Sequence, residues 1–251
     1  MRKHIVLGAI AALSLTSSAA FAQERAAQTA TDHAGVVGHW AITWFAPVSL
    51  AIVPGTVKGS GASATETAAP PAEVRPVGVR YWLNSGMGVD VGVGFASQGG
   101  ATETKDADGT VKSVDDPSRT AFVLHAGTPF AISTGQHYSL LIIPEANLGT
   151  GSTKFKATFP APQGPLRTED VTISAFRLDL GARAGAEIHF GFMNVPQLSL
   201  QATVGAAFAI NTTSTSFGGI DTSTSRTSLA TSVQNEPWAL FTGNVAALYY
   251  F

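Results

Sequence analysis

From Gly38 onward the chain alternates apolar and polar side chains with a period of two, in runs separated by stretches rich in Gly, Ser, Thr and Pro. Side chains of a strand point alternately to opposite faces, so each run predicts a β-strand with one greasy face. In the first run Trp40, Ile42, Trp44, Ala46, Val48, Leu50 and Ile52 share that face. The second, about Arg75 to Asn84, sets Val77, Val79, Tyr81 and Leu83 against Gly78, Arg80, Trp82 and Asn84. Asn84-Ser85-Gly86 then predicts a tight hairpin turn. After it Met87, Val89, Val91, Val93 and Phe95 oppose Gly88, Asp90, Gly92, Gly94 and Ala96. Further runs cover Thr120 to Gly127, His137 to Gly149, Val171 to His189, Gln197 to Ile210 and Pro237 to Phe251, which makes eight.

The connections alternate in length. Pro54 to Val74, Gln98 to Arg119, Thr150 to Asp170 and Asn211 to Glu236 are long and polar. Ser85-Gly86, Thr128 to Gln136 and Phe190 to Pro196, which lie between them, are short. Long loops at one rim and short turns at the other are the habit of membrane barrels. The pattern therefore predicts an all-β fold, an eight-stranded antiparallel up-and-down transmembrane β-barrel over residues 38–251. Both termini are expected at the short-turn, periplasmic rim.

The amino terminus predicts its own removal. Arg2, Lys3 and His4 precede an apolar stretch from Ile5 to Leu15, and Ala20-Phe21-Ala22 supplies a small-x-small cleavage pattern. That stretch is too short to span a bilayer as a helix. Residues 1–22 read as a signal peptide and 23–37 as a periplasmic lead-in. Loss of Arg2 and Lys3 takes the formal net charge from -2 to -4. No basic patch interleaved with aromatics is present, so nucleic acid is not an expected partner. Only 13% of residues are charged, against about a quarter in an average globular protein. A lipid-bathed exterior explains that shortage. The chain has no Cys, and so no disulfide framework.

The position of the charges sharpens the picture. Lys58, Lys105, Lys112, Lys154 and Lys156 all fall in long connections. Within the runs, Arg80, Asp90, Glu145, Arg177, Asp179, Arg183 and Glu187 have the parity opposite the apolar face. An eight-stranded barrel is barely wide enough for inward side chains, and buried charges persist only when paired and hydrogen-bonded. These seven residues are the expected polar network of the lumen. Trp40, Tyr81, Trp82, Tyr138, Phe190, Phe192, Tyr249, Tyr250 and Phe251 are expected at the periplasmic girdle. Phe95, Phe122, Phe208, Trp238 and Phe241 are expected at the outer one. Pro47 and Pro144 each remove a ladder donor and predict local bulges.

Val245, Ala247, Tyr249 and Phe251 resemble the carboxy-terminal assembly signal of Gram-negative outer-membrane barrels. That resemblance implies recognition by periplasmic chaperones and the barrel-assembly machinery. With its strand pattern and loop alternation, the chain resembles small barrels of the OmpA-transmembrane, OmpX and OmpW kind. The resemblance implies an integral protein among outer-membrane lipid and lipopolysaccharide, with loops open to a surface ligand. It implies a structural or surface-interaction role without catalysis, cofactor or metal. The alternatives are a narrow channel for ions or small hydrophobic solutes, and a lipid A-modifying enzyme.

The candidate chemistry is thin. His137-Tyr138-Ser139 resembles the His-x-Ser motif of lipid A deacylases, with Glu145 as the nearest acid, yet His137 and Ser139 have inward parity. Asp106-Ala107-Asp108-Gly109 fails the calcium-loop spacing, since Val111 and Pro117 stand where Gly and Glu are needed. A hairpin turn explains that stretch better. His125 and His189 read as lumen packing.

Overall fold

A ladder of antiparallel hydrogen bonds runs all the way round this molecule and returns to its starting strand. The computed structural model describes residues 31–45, 48–50, 57–59, 62–64, 72–159, 167–231 and 245–251. The signal segment, Ala46, Pro47, Ile52, Trp238 and Phe241 lie outside those residues. A short helix, α1 (Asp32–Val36), precedes β1 (Trp40–Trp44) and β2 (Val48–Leu50). Next come β3 (Val57–Gly59), β4 (Ala62–Ala64), β5 (Ala72–Val74), β6 (Val77–Asn84) and β7 (Met87–Lys105). Then follow β8 (Val111–Gly127), β9 (Phe130–Thr134), β10 (Tyr138–Phe159) and β11 (Arg167–Phe190). The last are β12 (Val195–Phe217), β13 (Ile220–Thr231) and β14 (Val245–Tyr250).

Closure runs β1–β6–β7–β8–β10–β11–β12–β14 and back to β1, every pairing antiparallel. Among the described residues, eight strands thus form the wall. Closing a sheet on itself removes its edges, the condition for strands to cross a bilayer. Asn84 pairs with Met87 across the Ser85-Gly86 turn, and its Oδ1 accepts from the Gly86 and Met87 amides at 2.8 and 2.9 Å.

Three predicted long loops are strands instead. β7 and β8 stay paired out to Lys105 and Val111, β10 and β11 to Phe159 and Arg167, and β12 and β13 to Phe217 and Ile220. The stretches expected as loops at 98–119, 150–170 and 211–236 are mostly hairpin extensions. Their polar Thr- and Ser-rich composition signals exposure to water, and Thr remains a good strand former there. The turn at Asp106 to Thr110 is closed by a Gly109 amide to Asp106 carbonyl bond of 2.9 Å, with Gly109 at φ +87°. In the predicted short link Thr128 to Gln136 the chain forms β9, which pairs with β10 and touches β7 at Met87.

The apolar parity faces outward. Val91, Val93 and Phe95 are 50%, 54% and 69% exposed, whereas Asp90 is fully buried. Exposed apolar side chains continue round the wall through Leu124, Ile142, Leu148, Phe176, Leu180, Val204, Phe208 and Ile42. Such a contiguous belt is untenable in water. From Tyr138 to Thr150 the wall rises about 30 Å, taking ~3.3 Å per residue and a tilt of ~40°, enough for an apolar band of about 25 Å.

The first strand departs from its predicted course. Val48 and Leu50 are buried, at 2% and 0% exposure, rather than continuing the lipid face of Trp40, Ile42 and Trp44. The β1–β6 ladder ends at Trp44 and Val77, and the Phe45 amide donates once more to the Pro76 carbonyl at 2.9 Å. Pro76 has no N–H to return, so the ladder stops there. β2 pairs with β5 instead. Val48, Leu50 and Val74 pack inside the barrel on Ala121, Val123 and Ala175. Pro144 also behaves differently from expectation: β10 keeps its register with β11 through Pro144 and Ala182. On its other edge β10 exchanges β9 for β8 around Pro144, and the register shift lies between Leu140 and Leu141. Pro47 lies outside the described residues.

Candidate functional site: the filled lumen and its two rims

At the short-turn rim α1 enters the barrel mouth. Thr31 caps it, its Oγ1 accepting from the Ala34 amide at 3.2 Å. Val36 is buried with Ala41, Trp82, Leu141, Ile143, Leu248 and Tyr250. The helix is tied to every short turn. The His33 Nε2 lies 3.0 Å from the Ser85 carbonyl, and the Asp32 amide donates to the Gln136 carbonyl at 2.9 Å. Asp32 Oδ2 takes the His137 Nδ1 at 2.7 Å and the Gly191 amide at 3.1 Å. A side chain on Gly191 would collide with that carboxylate. Burial lowers the His33 pKa from its ordinary value, with the Ser85 hydrogen bond and the Glu187 carboxylate acting the other way. The predicted lead-in at 23–37 thus carries, from Asp32, a helical stopper.

Above the helix lies the most buried polar group of the lumen. Arg80 donates from Nε and Nη2 to both oxygens of Asp90, at 2.7 and 2.8 Å. Its Nη1 reaches Glu187 at 2.9 Å and Gln201 at 2.6 Å. Glu187 Oε1 also accepts from Ser199 at 2.6 Å and from the Tyr250 hydroxyl at 2.8 Å. The Trp82 indole donates to Tyr250 at 2.9 Å. Arg80 is 1% exposed and Glu187 fully buried. Two carboxylates flank one guanidinium, and Gln201, Ser199 and Tyr250 satisfy the remaining sites, as a buried charge requires. Trp82 and Tyr250 consequently stand inside the lumen, not in the periplasmic girdle where their aromatic character placed them.

The other predicted network residues form separate groups. Arg183 donates to Glu145 at 2.7 Å and to Thr203 at 3.1 Å. Arg177 turns along its own strand to Asp179 at 2.8 Å. Seven residues predicted as one network are therefore three, because each Arg finds the nearest carboxylate on its own or an adjoining stave. In the first, the Arg80–Glu187 bond reaches across the barrel. Sequence reasoning missed Gln201, Ser199 and Asn147, polar but uncharged residues of inward parity.

Higher in the lumen, the His125 Nδ1 lies 2.7 Å from Asn147 Oδ1, and the ring stacks on Phe45 at a centroid distance of 3.8 Å. Phe45 fits because Gly92 lies beneath it, where an added Cβ would stand 2.6 Å from the ring. Gly149 makes the same room for Leu50, whose Cδ2 would lie 2.8 Å from such a Cβ. Inward glycines across the wall match the side chains that the first segments insert.

His137 is held by Asp32, and Ser139 is fully buried with no hydrogen-bond partner for Oγ among the described residues. Glu145 belongs to Arg183. The three are not assembled as a nucleophile, base and orienting acid, which need mutual hydrogen-bond reach. At the carboxy terminus, Tyr249 and Phe251 face outward, and Val245 and Ala247 are half-buried. The Phe251 amide donates to the Trp40 carbonyl at 2.9 Å, fastening the last residue to β1.

No protein-family model matches this sequence, and no curated protein matches it. Among solved structures, it is similar to Ail, the attachment invasion locus protein of Yersinia pestis, at 15% identity and TM-score 0.31, over 86% of this chain and 99% of that one. A major outer membrane protein from Thermus thermophilus is similar at 14% identity and TM-score 0.36, over 85% and 98% of the two chains. The outer membrane protease OmpT from Escherichia coli is similar at 10% identity and TM-score 0.32, over 85% and 94%. The barrel assignment rests on strand pairing and on the exposed apolar belt, not on these likenesses. By those two properties the chain is a small transmembrane β-barrel.

Proposed function

We propose that this barrel is a sealed outer-membrane scaffold whose role is performed by the hairpins projecting from its long-strand rim. The observation that carries the reading is the filling of the lumen along its length. α1, the Arg80 cluster, the Arg183–Glu145 pair and the apolar β2–β5 insert succeed one another from rim to rim. Strand extensions beyond the belt present Ser, Thr and charged side chains. Along β13, for example, Asp221, Thr222, Ser223, Thr224, Ser225 and Arg226 are all exposed. Rigid staves carrying polar tips suit contact with a surface ligand, without catalysis. In this reading both termini lie toward the periplasm. Val245, Ala247, Tyr249 and Phe251 serve periplasmic chaperones and the barrel-assembly machinery during insertion.

Planar-bilayer recording of the purified mature protein tests the seal. No unitary current steps are expected. Reproducible steps would replace the scaffold with a narrow channel. Removal of the β12–β13 hairpin tip, scored for adhesion to cells or matrix, tests the contact role, with lost adhesion at unchanged membrane yield as the expected result.

A further inference from the structure

The outer wall changes character in successive rows just above the apolar belt. Strand register places Phe95 beside Phe122, Phe122 beside Thr150 and Thr150 beside Phe176. Phe95, Phe122 and Phe176 face outward, and a shallow groove of about 350 Å³ runs past Phe95, Phe122, Thr150 and Ser152. One outward step higher, a second row reads Ser97, Thr120, Ser152, Ser174 and Ser214 across five neighbouring strands. The Thr120 and Ser152 hydroxyls lie 3.3 Å apart. The next step brings Lys154, exposed, between Ser118 and Thr172. Lys156 follows, opposite Asp170, with Asp116 of β8 on the same outward face.

The geometry points to a docking site for the phosphorylated sugar head of an outer-leaflet glycolipid, with acyl chains on the phenylalanines and a phosphate at Lys154. This rests on the scaffold reading above, which puts the hairpin rim outside the cell. Lys154 stands four residues beyond Thr150, about 10 Å above the belt at ~3.3 Å per residue and ~40° tilt. That height belongs to headgroups, not to hydrocarbon. A row of five hydroxyls between the greasy row and the cation spans five strands and suits the many hydroxyls of a broad sugar head better than the few on a narrow glycerol phosphate. An ammonium and a phosphate form a charge-assisted contact stronger than a neutral hydrogen bond. Lys154 is the phosphate partner rather than Lys156 because its cross-strand neighbours are hydroxyl residues, whereas Lys156 faces the Asp170 carboxylate.

The test uses the full mature protein in neutral micelles, with native mass spectrometry counting retained lipid. The probes are diphosphorylated lipid A, its dephosphorylated form and phosphatidylglycerol. Preferential retention of diphosphorylated lipid A is expected, and Lys154→Gln should weaken it about tenfold, the scale of one charge-assisted contact. Lys105→Gln, at a hairpin tip, should leave it unchanged. Heat-modifiable gel mobility shows that each variant is folded. Equal retention of phosphatidylglycerol, no effect of Lys154→Gln, or an equal effect of Lys105→Gln would overturn the site. Labelling of Asp108→Cys by an impermeant maleimide on intact cells separates the two ideas. A labelled tip without lipid preference defeats the glycolipid site alone, whereas an unlabelled tip defeats it together with the scaffold reading.

Discussion

Arg80 Nη1 and Glu187 Oε2 meet at 2.9 Å across the lumen, although 107 residues separate them in the chain. The bond links β6 to β11, which are not neighbours in the wall. It is a strut across the cylinder, and Asp90 is the second carboxylate on the same guanidinium.

Removing one partner of such a cluster costs more than the cluster contributes, because the survivors stay buried and unpaired. Arg80→Met should destabilise the barrel by ~3–5 kcal/mol. Arg177→Met, which breaks a pair on a single strand, should cost far less. Urea unfolding of the refolded protein in detergent, followed by gel mobility, compares them. Equal midpoints would remove the strut from the stability of the fold.

The helical stopper should respond to acid. The His33 pKa is lowered by burial, so the docked helix disfavours the protonated ring. Docking strength is complete above the ordinary His value of ~6.5 and is lost as pH falls below it toward the docked-state value. Glu187 opposes that loss, while Arg80 and His189 add to it; the Ser85 carbonyl also favours the charged ring. Hydrogen exchange at the amides of Asp32 to Val36 should therefore quicken between pH 7 and pH 5 beyond its intrinsic trend. His33→Gln should abolish that excess. A flat profile in the parent protein would contradict the assignment.

Asp32 holds two turns through one carboxylate. Asp32→Ala should cost ~1–3 kcal/mol of docking and expose the amino-terminal segment to protease while leaving the barrel intact. Protection equal to the parent's would show that the Asp32 carboxylate adds nothing to the hold on α1.

The facing assignment predicts a sharp contrast. Val91→Arg puts a cation on the lipid face and should cost ~2–4 kcal/mol, reducing membrane yield. Asp106→Ala, in the β7–β8 turn, should leave yield unchanged. Equal yields would contradict the outward parity.

Strand number, alternating faces and the lumen charges were legible along the chain because period two needs no partner to be read. Connection lengths were less legible. Ser, Thr and Gly report contact with water, which an extended hairpin and a loop share, so 150–170 and 211–236 looked like loops. The candidate site was legible in part: parity found Arg80, Asp90 and Glu187, but nothing in one dimension separates them from Arg177 and Asp179. Trp82 and Tyr250 show the same gap. Their parity pointed inward, yet aromatic character drew them to a girdle.

What the sequence determined alone is a cylinder with a greasy outside and a charged inside, since alternation and the shortage of charge follow from which solvent each face meets. Only the tertiary structure decided what fills the cylinder. Leu50 lies in the lumen because Pro76 ends a ladder and Gly149, far away in the chain, leaves a space of matching size. Ladder termination and side-chain fit are relations between distant segments, and a pattern read along one strand does not contain them.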